Sequence, residues 1–238
     1  MLDFVGPDVS RPFVPDFTLT PTFRTTRAPG PSVAPSRTIL LREGERCGGI
    51  LRLAAGCVVL SQLLRDGRRQ IVDVLGPGRL FAIPVAQTNL YTAETMCISQ
   101  LERLDEGTVS NEEIDRHLRA MLARAQVHAT LLGRKTAAEK VASAVLDLAG
   151  QFARPSRGRK TGRVTFTLHL TRADLGDWLG LTVETVSRCL HQLKRNAVID
   201  FRHPEIITVI DRPALIEIAG LLPQDAGGER QTVDFNHP

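Results

Sequence analysis

Aromatic residues are scarce in this chain of 238, which has nine Phe, one Tyr and one Trp. A platform for single-stranded nucleic acid, which needs successive rings, is thereby excluded. Cysteine is equally sparse, and the gaps between Cys47, Cys57, Cys97 and Cys189 match no C-x-x-C or zinc-finger spacing. Free thiols in a reducing compartment are the reading. No uninterrupted apolar run reaches the roughly 18 residues of a membrane span. The opening Met1-Leu-Asp-Phe-Val-Gly-Pro7 puts an acid and a proline where a secretory leader needs basic and then apolar residues. A cytoplasmic protein without a membrane partner is expected. No local motif combines nucleophile, base and orienting group, so no enzyme is expected either.

What is present is unevenly distributed. The net charge is only +4, but positions 134 to 212 hold 14 basic and 8 acidic residues, +6, leaving −2 elsewhere. Seven of the 14 prolines precede Arg37, in a stretch without sustained periodicity. Residues 1–36 are read as a flexible proline-rich arm, whose Phe13, Phe17 and Phe23 could dock on the body. From 37 to 108, short apolar runs (Thr38–Leu41, Ile50–Leu53, Val58–Leu60, Gln70–Leu75) alternate with glycine punctuation and an Asp66-Gly67 turn. Spacing of about ten residues between turn signals reads as a small antiparallel roll.

The period then changes. Ile114, Leu118, Met121, Ala125, His128 and Leu132 step by four and three, the spacing of a coiled-coil seam. Residues 109–135 are assigned to a dimerisation helix, the alternative being an amphipathic helix lying on its own roll. A second helix is read over Ala137–Phe152, with Val141, Ala144, Val145 and Leu148 inward. The stretch 151–163 carries five basic residues and no acid, which places it near phosphates if DNA lies alongside.

The segment 136–222 carries the function, and 223–238 is read as a flexible tail. Thr171 can cap a helix with Asp174 three residues on, and Leu175, Trp178 and Leu179 follow at helical spacing before Gly180 ends it. Thr182 can cap a second helix that runs to about Arg195, with Val183, Val186, Leu190 and Leu193 inward. This is a helix-turn-helix, with Gly176 at the close approach. At about 100° per residue, Glu184, Ser187, Arg188, His191 and Arg195 share the outward sector. Arg can bond bidentately to guanine, Glu can accept from cytosine, and Ser can do either. The competing reading is a solvated face with a Glu184–Arg188 ion pair. Val198–Phe201 and Ile206–Ile210 then flank Arg202–Glu205 as a two-stranded wing.

LHLTRADLGDWLGLTVETVSR, residues 168–188, resembles the DNA-binding signature of the CRP/FNR superfamily, and Glu184-x-x-Ser187-Arg188 is similar to the FNR/FixK triplet. The likeness extends over the body from about Arg37. It implies an α+β protein with a cyclic-nucleotide-binding-like β-roll, a long dimerisation helix and a winged helix-turn-helix. It further implies a homodimeric transcriptional activator that reads a palindromic TTGAT-N4-ATCAA-type site and contacts RNA polymerase. Thr182, Val183, Glu184, Ser187, Arg188 and His191 would be its DNA contacts, with Glu184, Ser187 and Arg188 the base readers.

The departures from the family matter as well. No cysteine precedes Cys47, so an FNR-type iron–sulfur cluster lacks its ligands. Phe81-Ala-Ile-Pro84 and Tyr91-Thr-Ala93 stand where cyclic-nucleotide members carry an acid for the ribose and an arginine for the phosphate. No cofactor is therefore expected, as in FixK-type members. A ligand-, haem- or redox-gated regulator of the same fold is the alternative: His117, His128 and His169 leave haem open, and oxidation of Cys189, beside Arg188, would put polarity next to a base reader.

Overall fold

The computed structural model describes residues 32–104, 107, 109–153 and 163–221. Most of the expected arm, with its three phenylalanines, most of the basic stretch, and the whole of the expected tail lie outside the described residues.

Eight strands build the roll: β1 (Ser32–Ala34), β2 (Ile39–Leu41), β3 (Ile50–Ala55), β4 (Val58–Leu63), β5 (Arg69–Leu75), β6 (Leu80–Phe81), β7 (Thr92–Thr95) and β8 (Ser99–Leu104). They form two antiparallel four-stranded sheets, ordered β1-β8-β3-β6 and β2-β7-β4-β5. The strand at 32–34 falls inside the stretch read as a flexible arm: Ser32 pairs with Leu101 and Ala34 with Ser99. β3 turns into β4 through Gly56, at φ 103°, where a Cβ would stand 2.7 Å from the Ser99 Cα, so only glycine fits. Asp66-Gly67 sits in the β4–β5 hairpin as expected: the last register pair is Leu63 with Arg69, and beyond it the Leu64 amide donates to the Arg68 carbonyl at 2.8 Å and the Gly67 amide to the Leu64 carbonyl at 2.9 Å, a tight turn.

β4 is buried on both faces. Val58 and Leu60 enter the roll interior with Leu53, Phe81 and Leu101, while Val59, with Ile71 and Val74 of β5, joins a second core shared with the helices. Because successive strand side chains point to opposite sides, one hairpin supplies both cores. The C-terminal helical half is therefore packed directly on the roll.

The helices are α1 (Asn111–Arg134), α2 (Ala137–Phe152), α3 (Arg172–Leu179), α4 (Val183–Arg195) and α5 (Arg212–Ile218). Ser110 caps α1. Thr136 and Glu139 form a reciprocal capping box on α2, which spans the residues read from the sequence. The C-terminal sheet has three strands, β10 (Ile199–Asp200), β11 (Ile206–Val209) and β9 (Val164–Thr167), in that order. The expected wing is thus extended by β9, a four-residue strand. α5, seven residues with a proline in its first turn, also goes beyond the elements read from the sequence.

The seam of α1 meets its own chain. Ile114, Leu118 and Met121 pack on Ile50, Leu80, Ile83 and Val109 at the edge of the roll. His128 stacks on Trp178, centroids 6.1 Å apart, and Leu132 packs against the helical core. Among the six, only Ala125 is exposed. Five of the six residues read as a face for a second copy thus also have partners within their own chain, each of them only half-buried. The exposed stripe lies one position round the helix, at Asp115, Arg119, Leu122, Gln126 and Ala129, with Leu122 61% exposed.

Candidate nucleic-acid interface

α3 begins at Thr171, whose hydroxyl accepts from the Asp174 amide while Asp174 accepts from the Thr171 amide at 2.9 Å. It ends at Gly180, in the left-handed region with φ 62°. Gly176 is required by the turn: a Cβ there would stand 2.6 Å from the Leu181 carbonyl oxygen. Two residues later Thr182 caps α4 by accepting from the Thr185 amide at 3.3 Å. Val186, Leu190 and Leu193 are buried under α4, which fixes the opposite face outward.

On that outward face Thr182, Glu184, Arg188, His191 and Arg195 are exposed, and Ser187 is half-buried between them. Val183, expected inward, is 43% exposed at the first turn. The competing Glu184–Arg188 ion pair is not what holds these side chains. Glu184 is kept below its ordinary pKa by its own backbone amide and then by the Thr182 hydroxyl, and Arg188 donates to Thr185 Oγ1 at 3.4 Å. The His191 Nδ1 lies 2.7 Å from the Ser187 carbonyl oxygen. Cys189 is half-buried, and burial pushes its thiol up against the opposing effect of Arg188.

The orientation of α3, and with it α4, is tied to the roll by charge. Asp174 is 2% exposed and receives Arg37 through both terminal nitrogens, at 2.7 and 3.2 Å, and Arg69 through one. Arg69 also reaches Asp177 at 2.9 Å and Glu94 at 3.1 Å. Burial alone would raise the Asp174 carboxyl, but hydrogen bonds from Arg37, Thr171 and Arg69 hold it far below the ordinary carboxylate range. A second tie is Arg124 of α1, which binds Asp73 of β5 at 2.6 Å and Asp147 of α2 at 3.1 Å. Sequence spacing could not disclose either cluster, because their members lie up to 137 residues apart.

The segments 81–84 and 91–93 meet inside the roll. Phe81 is fully buried, the Ala82 amide donates to the Tyr91 hydroxyl at 2.9 Å, and neither an arginine nor an acid stands at these positions. Among the described residues no group of three or more His, Cys, Asp or Glu could hold a metal ion. The three histidines considered for haem are separately engaged: His117 with the Glu113 carbonyl, His128 with Trp178 and His169 edge-on to Phe152. Between roll and C-terminal half, Met96, Cys97, Ile98, Phe152, His169 and Arg172 help line a cleft of about 960 Å³. No helix among the described residues is long and apolar enough to cross a membrane.

Residues 139–218 match the Crp-like helix-turn-helix domain and residues 32–110 the cyclic nucleotide-binding domain. The chain is similar to the transcriptional activator protein FnrL of Cereibacter sphaeroides, 36% identical over 187 residues that cover 75% of each. It is similar to the nitrogen fixation regulation protein FixK of Rhizobium meliloti, 32% identical over 73% of this chain and 79% of that one. Among solved structures, FixK2 from Bradyrhizobium japonicum superposes with a TM-score of 0.71 at 27% identity, covering 81% of this chain and 98% of the other.

Proposed function

The chain belongs to the CRP/FNR family of DNA-binding transcription regulators and is of the FNR/FixK type, and on that premise we propose that it is a cytoplasmic homodimeric activator that reads a palindromic TTGAT-N4-ATCAA-type site without an obligatory cofactor. The observation that carries the reading is the outward face of α4, where Glu184, Ser187, Arg188 and His191 stand over a fully buried Val186–Leu190–Leu193 edge. Glu184, Ser187 and Arg188 are the base readers; Thr182 and Val183, at the start of the helix, approach the backbone and thymine methyls. Two copies must set their recognition helices about 34 Å apart, one turn of DNA. The second copy lies along α1, on the seam of Ile114, Leu118, Met121, Ala125, His128 and Leu132 together with the exposed Leu122 and Ala129 beside it. Contact with RNA polymerase completes the activator reading.

The test is binding of purified, reduced, cofactor-free protein to that duplex and to one with the G·C pairs exchanged, at fixed salt. Discrimination by the apo-protein supports the reading; equal affinity for both overturns the base-reader assignment. One observation favours the ligand-gated alternative, namely the 960 Å³ cleft between roll and DNA-binding half, a volume within the range of small-molecule sites. In that case the apo-protein binds its operator weakly.

A further inference from the structure

Phe201, just after β10, is half-buried, and three side chains from two helices converge on its ring. The Lys194 ammonium lies 4.6 Å from the ring centroid, the Arg172 guanidinium 5.8 Å, and the His191 imidazole meets it edge-on with centroids 5.5 Å apart. The three are not equivalent. Lys194 is committed within the wing, to Asp200 at 2.9 Å and to the Phe201 carbonyl. Arg172, the first residue of α3, has no carboxylate within ion-pair distance among the described residues. Apart from the ring it reaches, among the described residues, the Pro204 carbonyl at 3.5 Å, and burial lowers its pKa. His191 directs Nδ1 to Ser187, which leaves Nε2 for an outside partner.

An aromatic face attracts cations through its quadrupole, and a long side chain ordered in advance loses less freedom when it meets an anion. We propose that Phe201 is a positioning residue for DNA binding, whose ring holds Arg172 of α3 and His191 of α4 in one fixed relation so that a phosphate contact and a groove contact form together. The inference rests on α4 being the recognition helix. It assigns Phe201 no contact of its own with DNA.

The experiment measures binding of the full chain, over a series of salt concentrations, to the palindromic duplex and to an unrelated duplex. Phe201→Leu keeps an apolar group without a π face, and Phe201→Trp keeps the face. The Leu variant is expected to bind about 2- to 10-fold more weakly, with its salt slope reduced by about 0.9 for each phosphate no longer neutralised, while the Trp variant keeps the wild-type slope. In the Leu background, Arg172→Gln should then change the slope no further. A wild-type slope in Phe201→Leu, or equal losses in Leu and Trp, overturns the proposal. If the Leu variant does not fold, 4-cyanophenylalanine in place of Phe201 keeps the ring shape while weakening its negative face, and an unchanged slope there overturns it equally. Failure of the wild type to discriminate the two duplexes sinks the base-reader assignment instead, because the slope on the unrelated duplex still reads Phe201.

Discussion

Arg37, at the entrance to the roll, grips Asp174, in the first turn of α3, through two hydrogen bonds of 2.7 and 3.2 Å. Arg37 does so from a left-handed backbone conformation, φ 61°, which costs a non-glycine residue about 1 kcal/mol. Asp174 simultaneously closes the capping box of α3, so one carboxylate both starts the helix and anchors it to the other half of the molecule.

Asp174→Asn therefore removes a charge from two arginines and weakens a cap. Loss of one partner from a buried pair costs about 3–5 kcal/mol, but the Arg37 and Arg69 side chains are 42% and 25% exposed, and a discounted loss of about 2 kcal/mol is expected. Denaturant unfolding at neutral pH measures it. The pH dependence has a definite sign. The folded-state pKa of Asp174 lies below its unfolded value of about 4, so its stabilisation is complete above that value and falls away as pH drops toward the folded pKa. Unfolding of the Asn variant should be less steeply acid-dependent below pH 4.

His128 has the opposite protonation preference. Stacked on Trp178 and with its Nε2 buried without a partner, it is pushed below its ordinary pKa by burial. The folded chain holds the neutral ring while the unfolded chain takes up a proton near pH 6.5, so stability declines as pH falls through that value. His128→Phe is expected to flatten the dependence between pH 7 and 5, as thermal midpoints across that range would read.

Arg188→Ala should lower affinity for the palindromic duplex about 10- to 100-fold, the worth of one bidentate guanine contact. Affinity for an unrelated duplex should change far less. A matched loss on both duplexes would identify Arg188 as a backbone contact.

On α1, two neighbouring substitutions should separate assembly from folding. Leu122→Arg, at a 61% exposed position, is expected to shift sedimentation from dimer to monomer with its unfolding midpoint nearly unchanged. Met121→Arg, which faces the roll, should instead destabilise the chain by about 2 kcal/mol or more by burying a charge.

The helix-turn-helix is legible because its signals are local. Thr171 with Asp174, Gly176, Gly180 and Thr182 each act within a few residues, and α2 announces itself by its own capping box. β9 and α5 escape because four and seven residues are too few to express a period. The α1 seam is legible as an apolar stripe but not in what it meets, since a roll edge and a second copy impose the same three-and-four spacing.

The helix-turn-helix, the order of roll, long helix and DNA-binding half, and the polar face of α4 can all be read along the chain, because capping, glycine geometry and helical periodicity are short-range properties. It takes the packed fold to bring Ile114, Leu118, Met121, His128 and Leu132 of α1 against their own chain, Arg37 and Arg69 to Asp174, and Arg172, His191 and Lys194 round Phe201. Those contacts join residues far apart in the chain or on separate elements, and which partners meet is set by how the sheets and helices pack, not by any spacing along the backbone.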